Sequence, residues 1–258
     1  MSSRNKEQQD YKVPGLERGL AILTLFDQHT RALSASEIAR RLNLPRSTVY
    51  RIVVTLESLG FLELNSANHE YSLGRGVLRL GFEYLASLEM VDLCQPILYR
   101  LAETIGFPVN LAILDERSVV YVARALVPNS LTGAMNVGSR LPAHATTVGR
   151  LLLSDYSLEQ LRELYPEETL EASSVNTPKT VEALYELISA SKSQDALIGE
   201  SYFEDGYTSV AAVVRDKTGQ IVSVISAIIP SSSLDETQRD FLKTQVASSA
   251  QELSARLK

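Results

Sequence analysis

The stretch "LSASEIARRLNLPRSTVYRIVVTLESLG", from Leu33 to Gly60, restricts the chain more than any other. Ser34 and Glu37 have the spacing of a capping box, in which each side chain serves the other's backbone N–H, and Leu33 and Ile38 flank them as a hydrophobic staple. This first helix is short and ends near Leu42. "NLP" is the turn, and Pro45 suits the first position of a second helix, where its missing N–H costs nothing. From there Val49, Ile52, Val53, Leu56 and Leu59 recur at helical spacing and line one face. Arg46, Ser47, Tyr50, Arg51 and Ser58 fall mostly on the other. Gly60 is placed to close the helix in the left-handed conformation that glycine adopts without strain. Upstream, "GLERGLAILTLFDQ" spaces Leu16, Leu20, Leu23 and Phe26 as a further helix; downstream, "FLELNSANHEYSL" reads as a hairpin about an Asn-Ser-Ala-Asn turn. Three helices, the last two joined tightly, and a hairpin make a winged helix-turn-helix.

Such a helix fits the major groove of duplex DNA, whose rims are densely negative. The net charge of −6 argues against a protein that is basic all over, so distribution decides. Residues 1–76 hold ten Lys/Arg against eight Asp/Glu, and the remainder holds 15 against 23. Between Ile38 and Leu56 there are four arginines and no acid. Arg46, Ser47 and Thr48 occupy the first turn of the second helix, where free N–H groups favour a phosphate. Arg46, Tyr50 and Arg51 project from its polar side, where arginine can grip guanine or a phosphate. Arg40 and Arg41, ending the preceding helix, suit backbone contacts. The hairpin tip, with Asn65, Asn68 and His69, is placed to reach an adjacent groove. For an isolated cluster of arginines, a merely solvated face is the rival reading. Here cap, turn, apolar stripe and hairpin agree on DNA.

At 258 residues the chain is long enough for two domains. Residues 1–12 read as a disordered tail, 13–76 as the DNA-binding domain, 77–90 as a linker helix and 91–258 as a second domain. In the last, "CQPILYRLAETI", "ATTVGRLLLSD", "PKTVEALYELISASKS" and the segment from Leu234 to near Leu257 read as helices. "VNLAILD", "SVVYVARAL" and a hairpin turning at Asp216–Gln220 read as strands. Antiparallel strands with flanking helices make the fold class α+β.

One cysteine, Cys94, excludes an internal disulfide and suits a reducing, cytoplasmic setting. No secretory leader opens the sequence, and the longest apolar run, near "IVSVISAIIP", falls short of the ~20 residues of a membrane helix. No GxSxG or HExxH motif occurs, and His29, His69 and His144 are far apart in sequence. Neither catalytic residues, nor a metal site, nor a cofactor is expected, and His144 is assigned a local hydrogen-bonding role.

"GLERGLAIL", "LSASEIARRLNLPRSTVYRIVVTLESLGFLE" and "YSLGRGVLRLG" resemble the DNA-binding half of the IclR family of bacterial transcriptional regulators. "VGSRLPAHATTVGRLLL" resembles the effector-domain signature of the same family. The likeness runs from Val13 onward. It implies a homodimer, or a dimer of dimers, on a pseudo-palindromic operator, with a GAF-like α/β domain that binds a small organic acid. By that resemblance the effector site comprises Thr147 and Val148, then Glu200, Tyr202 and Ser209, then Ser226, with Arg140 available to a carboxylate. Ser209 stands where many relatives carry Cys, and Ile228 where a second Ser is frequent. This pattern resembles the branch governing aromatic-acid catabolism, with protocatechuate or hydroxybenzoate as effector. Two alternatives stay open: a constitutive DNA-binding protein whose second domain only oligomerises, and an enzyme with an accessory DNA-binding domain.

Overall fold

The computed structural model describes residues 11–27, 29–127, 135–192, 194, 196–200 and 206–257, with the side chains of Glu200 and Ser233 outside that description. The first ten residues, and so most of the expected tail, lie outside it too, as does Tyr202. The chain divides into two units, residues 1–87 and 88–258.

In the first unit, α1 (Pro14–Leu23), α2 (Ala35–Arg41) and α3 (Arg46–Ser58) surround one core. Ile22, Ile38, Val49 and Val53 are fully buried there with Leu33, Leu62 and Tyr71 around them. Each such aliphatic side chain contributes about 1.5–3 kcal/mol of burial free energy. Pro45 precedes α3 as its cap residue, one place earlier than its spacing suggests. At the other end Gly60, at φ +75°, donates to Glu57 O, and Phe61 N reaches back to Leu56 O, so the last carbonyls of α3 are satisfied. The hairpin is β2 (Leu62–Asn65) and β3 (Glu70–Leu73), and a two-residue strand β1 (Leu33–Ser34), not foreseen, adds to β3 as the third strand.

The structure decides which side of each helix is inward. Leu16 and Leu20 of α1 are 63% and 55% exposed; Gly19 and Ile22 face the core instead. Leu59 is 62% exposed as well. These leucines border an apolar groove of about 870 Å³ between α1 and the outer side of α3. The periodicity was real, but a helix with leucines on more than one side does not say which side is inward.

A helix α4 (Gly76–Ser87) ends the first unit, and α5 (Glu89–Ile105) opens the second after a break at Leu88, so the single helix expected over 77–90 is two. The second unit is built on a six-stranded, wholly antiparallel sheet in the order β6-β5-β4-β9-β8-β7. These strands are β4 (Val109–Asp115), β5 (Ser118–Ala125), β6 (Arg140–Pro142), β7 (Leu197–Glu200), β8 (Tyr207–Arg215) and β9 (Ile221–Pro230). The short helix α6 (Thr147–Leu152) packs on one face, together with α7 (Leu158–Leu164) and α8 (Val181–Ser191). Helix α5 and the terminal helix α9 (Glu236–Arg256) pack on the sheet as well, α9 chiefly along β8 and α5 along β5 and β4. The strands β6 and β7 and the helix α7 were not foreseen; each is short, although α7 carries Leu158, Leu161 and Leu164 at helical spacing behind a Ser157–Gln160 capping box.

Register fixes what shares a face, because residues directly opposite on neighbouring strands point the same way. Val119, Tyr121, Ala112, Val224, Ala211 and Leu197 form the core beneath α6 with Val148 and Leu151. Ser226 stands opposite Ala211, Ser209 opposite Gly199, and Asn110 opposite both Ser226 and Arg124. By alternation all of them lie on the α6 face.

Candidate functional site

The first unit presents its polar side through α3. Arg46, Ser47, Tyr50 and Arg51 are exposed and Thr48 is half-buried, while Val49 and Val53 anchor the opposite side. Among the described residues neither Arg46 nor Arg51 forms an ion pair. The expected capping box is only half made. Ser34 Oγ accepts from Glu37 N at 3.2 Å, but the Glu37 carboxylate turns away to accept from Arg40 Nε at 3.0 Å, Arg40 Nη2 at 2.6 Å and Arg41 Nε at 3.0 Å. A charge-assisted bond to guanidinium outcompetes one to a neutral backbone N–H. Those two arginines hold the Glu37 carboxyl down to about 2. Arg40 and Arg41 therefore each carry an acid in the structure. At the hairpin tip, Asn65 Oδ1 accepts from Ala67 N at 3.0 Å and Asn68 Nδ2 donates to Glu70 Oε2 at 2.7 Å, so both asparagines hold the turn itself.

The second unit brings Thr147, Ser209 and Ser226 to one face. Helix α6 begins after Thr146, whose side chain accepts from Gly149 N at 2.9 Å. Thr147 and Val148 are buried in its first turn. Gly199 on β7 lies directly beneath: a Cβ there would overlap the Thr147 side chain and come within 3.2 Å of Arg150 Nη2. Only glycine permits that approach. Ser226 is wholly buried, and neither its hydroxyl nor that of Ser209 has a hydrogen-bond partner among the described residues. Buried hydroxyls left so are uncommon and each calls for an explanation. Glu200 ends β7 in register with Thr208; its side chain and Tyr202 fall outside the described residues.

Arg140 is not part of this set. It stands opposite Val120, whereas its neighbour Leu141, opposite Val119, packs into the α6-side core. The side chain is half exposed on the other face and pairs with Asp115 at 2.7 Å. Sequence reading missed Arg150, buried on α6 with Nη2 at 3.4 Å from Thr147 Oγ1. It also missed Asn110, 3% exposed. A polar residue inside the apolar strand "VNLAIL" was the available signal.

The remaining reactive groups have structural uses. Burial pushes the Cys94 thiol up to about 12, so it carries no thiolate at neutral pH. His144 Nε2 lies 2.8 Å from Glu171 O, with its ring edge-on to Tyr165. Among the described residues no cluster of metal-ligating side chains occurs, and no helix is long and apolar enough to cross a membrane.

The IclR C-terminal model matches residues 82–255 and the IclR helix-turn-helix model residues 15–66. The chain belongs to the IclR family. The Pca regulon regulatory protein of Pseudomonas putida is 32% identical over 237 residues, covering 91% of this chain and 81% of that one. The p-hydroxybenzoate hydroxylase transcriptional activator of Acinetobacter baylyi is 28% identical, covering 95% and 90%. Among solved structures, a transcriptional regulator from Rhodococcus sp. RHA1 superposes with a TM-score of 0.80 at 29% identity, covering 95% and 98%. This IclR-family chain is a DNA-binding, ligand-responsive transcriptional regulator and not an enzyme.

Proposed function

We propose that α3 enters the major groove of a pseudo-palindromic operator, with Arg46, Ser47, Thr48, Tyr50 and Arg51 at the bases and nearby phosphates and Arg40 and Arg41 on the backbone. The observation that carries this is a pair of exposed arginines, Arg46 and Arg51, without an ion pair among the described residues, on a helix whose other side is locked into a core. A two-fold site needs a two-fold protein. Supporting a second copy, α4 has no buried residue, and Leu78, Leu80, Phe82 and Tyr84 are each more than half exposed. An apolar helix left in water marks an interaction surface. The chain then acts in the cytoplasm as a homodimer or a dimer of dimers.

The effector in this reading is an aromatic carboxylate, 4-hydroxybenzoate or protocatechuate, held on the α6 face by Thr147, Val148, Ser209 and Ser226, with Glu200 and Tyr202 assigned by family likeness. Support comes from the buried hydroxyls without partners and from the names of the two curated relatives. Thermal-shift screening over aromatic and aliphatic acids tests it, since a ligand of the native state raises Tm. Aromatic acids alone should do so; a flat response across the panel rejects an acid effector. Sedimentation of wild type and Phe82→Glu tests the second copy, which predicts a lower mass for the variant.

A further inference from the structure

Asn110, Ser226 and Ser209 share one face of the sheet, and the two serine hydroxyls, both withdrawn from solvent, have no hydrogen-bond partner among the described residues. Withholding water from such groups without a partner costs on the order of 1–3 kcal/mol each, so an unfilled polar row is expensive unless something fills it. Next in the row stands Arg124, directly opposite Asn110. It is half-buried and donates through Nη1 alone, to Met135 O at 2.9 Å and Asn136 Oδ1 at 2.8 Å. Both acceptors are neutral. Among the described residues no carboxylate pairs with this cation, whereas Arg140 already has Asp115.

We infer that Arg124 and Asn110 bind the carboxylate of the effector while Ser226 and Ser209 bind its ring hydroxyl. The inference rests on the aromatic-acid reading above and replaces Arg140 as the carboxylate's cation. Donor chemistry matches each end: guanidinium and amide N–H groups donate to the acid, and hydroxyls can both donate to and accept from a phenol. Adjacent strands lie ~4.8 Å apart and residues ~3.4 Å apart along a strand, so Ser226 is roughly 10 Å from Arg124, and Ser209, two residues along β8 from the position in line with Ser226, roughly 16 Å. The ligand would lie across β5, β4, β9 and β8 and tie the four strands together.

The test is calorimetric titration of the full-length protein with 4-hydroxybenzoate, its neutral amide 4-hydroxybenzamide, and benzoate. Wild type should prefer the acid to the amide. Arg124→Gln should abolish that preference, a change of about tenfold to hundredfold in the affinity ratio, while Arg124→Lys keeps part of it. Ser226→Ala should instead reduce the preference for 4-hydroxybenzoate over benzoate and leave the acid-to-amide ratio alone. A merely structural arginine would lower acid and amide together. Should Arg124→Gln fail to fold, Asn110→Asp gives the same reading, because a second carboxylate in the row would repel the acid and spare the amide. An acid-to-amide ratio unchanged in every folded variant overturns the inference. Wild type that ignores all three compounds, a result read before any variant is made, removes the aromatic-acid reading and this assignment with it.

Discussion

The two units carry their recognition chemistry in opposite ways. On α3 the side chains proposed to meet DNA are mostly exposed, include Arg46 and Arg51, and are neighbours in sequence, and burial of the other side holds them out. On the α6 face the proposed effector contacts are buried or half-buried, mostly uncharged and drawn from strands more than a hundred residues apart, from Asn110 to Ser226. The first arrangement suits a partner that arrives as an electrostatic surface, where affinity comes from displaced counterions. The second suits a small molecule that must be enclosed, where a few placed polar groups set the choice. A regulator needs both, and their separation is what the following changes probe.

The largest effect is expected from Arg46→Ala with Arg51→Ala. Losing two contacts worth ~1–3 kcal/mol each should weaken operator binding at least about thirtyfold, with effector affinity unchanged by calorimetry. Loss of both, with folding intact, would break the division between the units. Next comes Ser226→Ala. Removing a buried hydroxyl that has no partner should leave the ligand-free protein as stable or up to ~1 kcal/mol more so, yet weaken the effector about tenfold. Urea titration reads the first quantity and calorimetry the second; a clear loss of stability would mean the hydroxyl is satisfied.

How much of this was legible differs between the units for a physical reason. Caps, turns and helical periodicity are local, so Ser34, Val49, Val53 and Gly60 could be assigned from spacing alone, and Pro45 to within one place. What escaped was competition: Glu37 had two possible partners within one turn, and only geometry shows that Arg40 and Arg41 win. In the second unit the strands with strong patterns, β4, β5, β8 and β9, were visible, but the site depends on register. Arg140 is near α6 in sequence and on the wrong side of the sheet, while Asn110 and Arg124 are remote in sequence from Ser226 and in one row with it. A shift of one residue in pairing would exchange these roles.

A smaller effect sharpens the electrostatic half. Glu37→Gln should free Arg40 and Arg41, raise operator affinity a few-fold and steepen the salt dependence by about one unit of slope per arginine that gains a phosphate. Anisotropy titrations at several salt concentrations measure it, and an unchanged slope would mean these arginines never reach the duplex. The smallest effect is that of pH. Because the Glu37 carboxyl is depressed to about 2, whatever its ion pairs contribute is complete above the ordinary carboxylate range and is lost only as pH falls toward 2. Between pH 5 and 8 this group should therefore leave operator binding unaltered, and a Glu37-dependent change in that range, seen by comparing wild type with Glu37→Gln, would contradict the pairing.

One titration tests the whole account most directly: wild-type protein against labelled duplexes from its own control regions and against random duplex at moderate salt, with and without 4-hydroxybenzoate. A preference for one control-region duplex that shifts when the acid is added is the predicted result. Equal affinity for every duplex, unmoved by the acid, would contradict it.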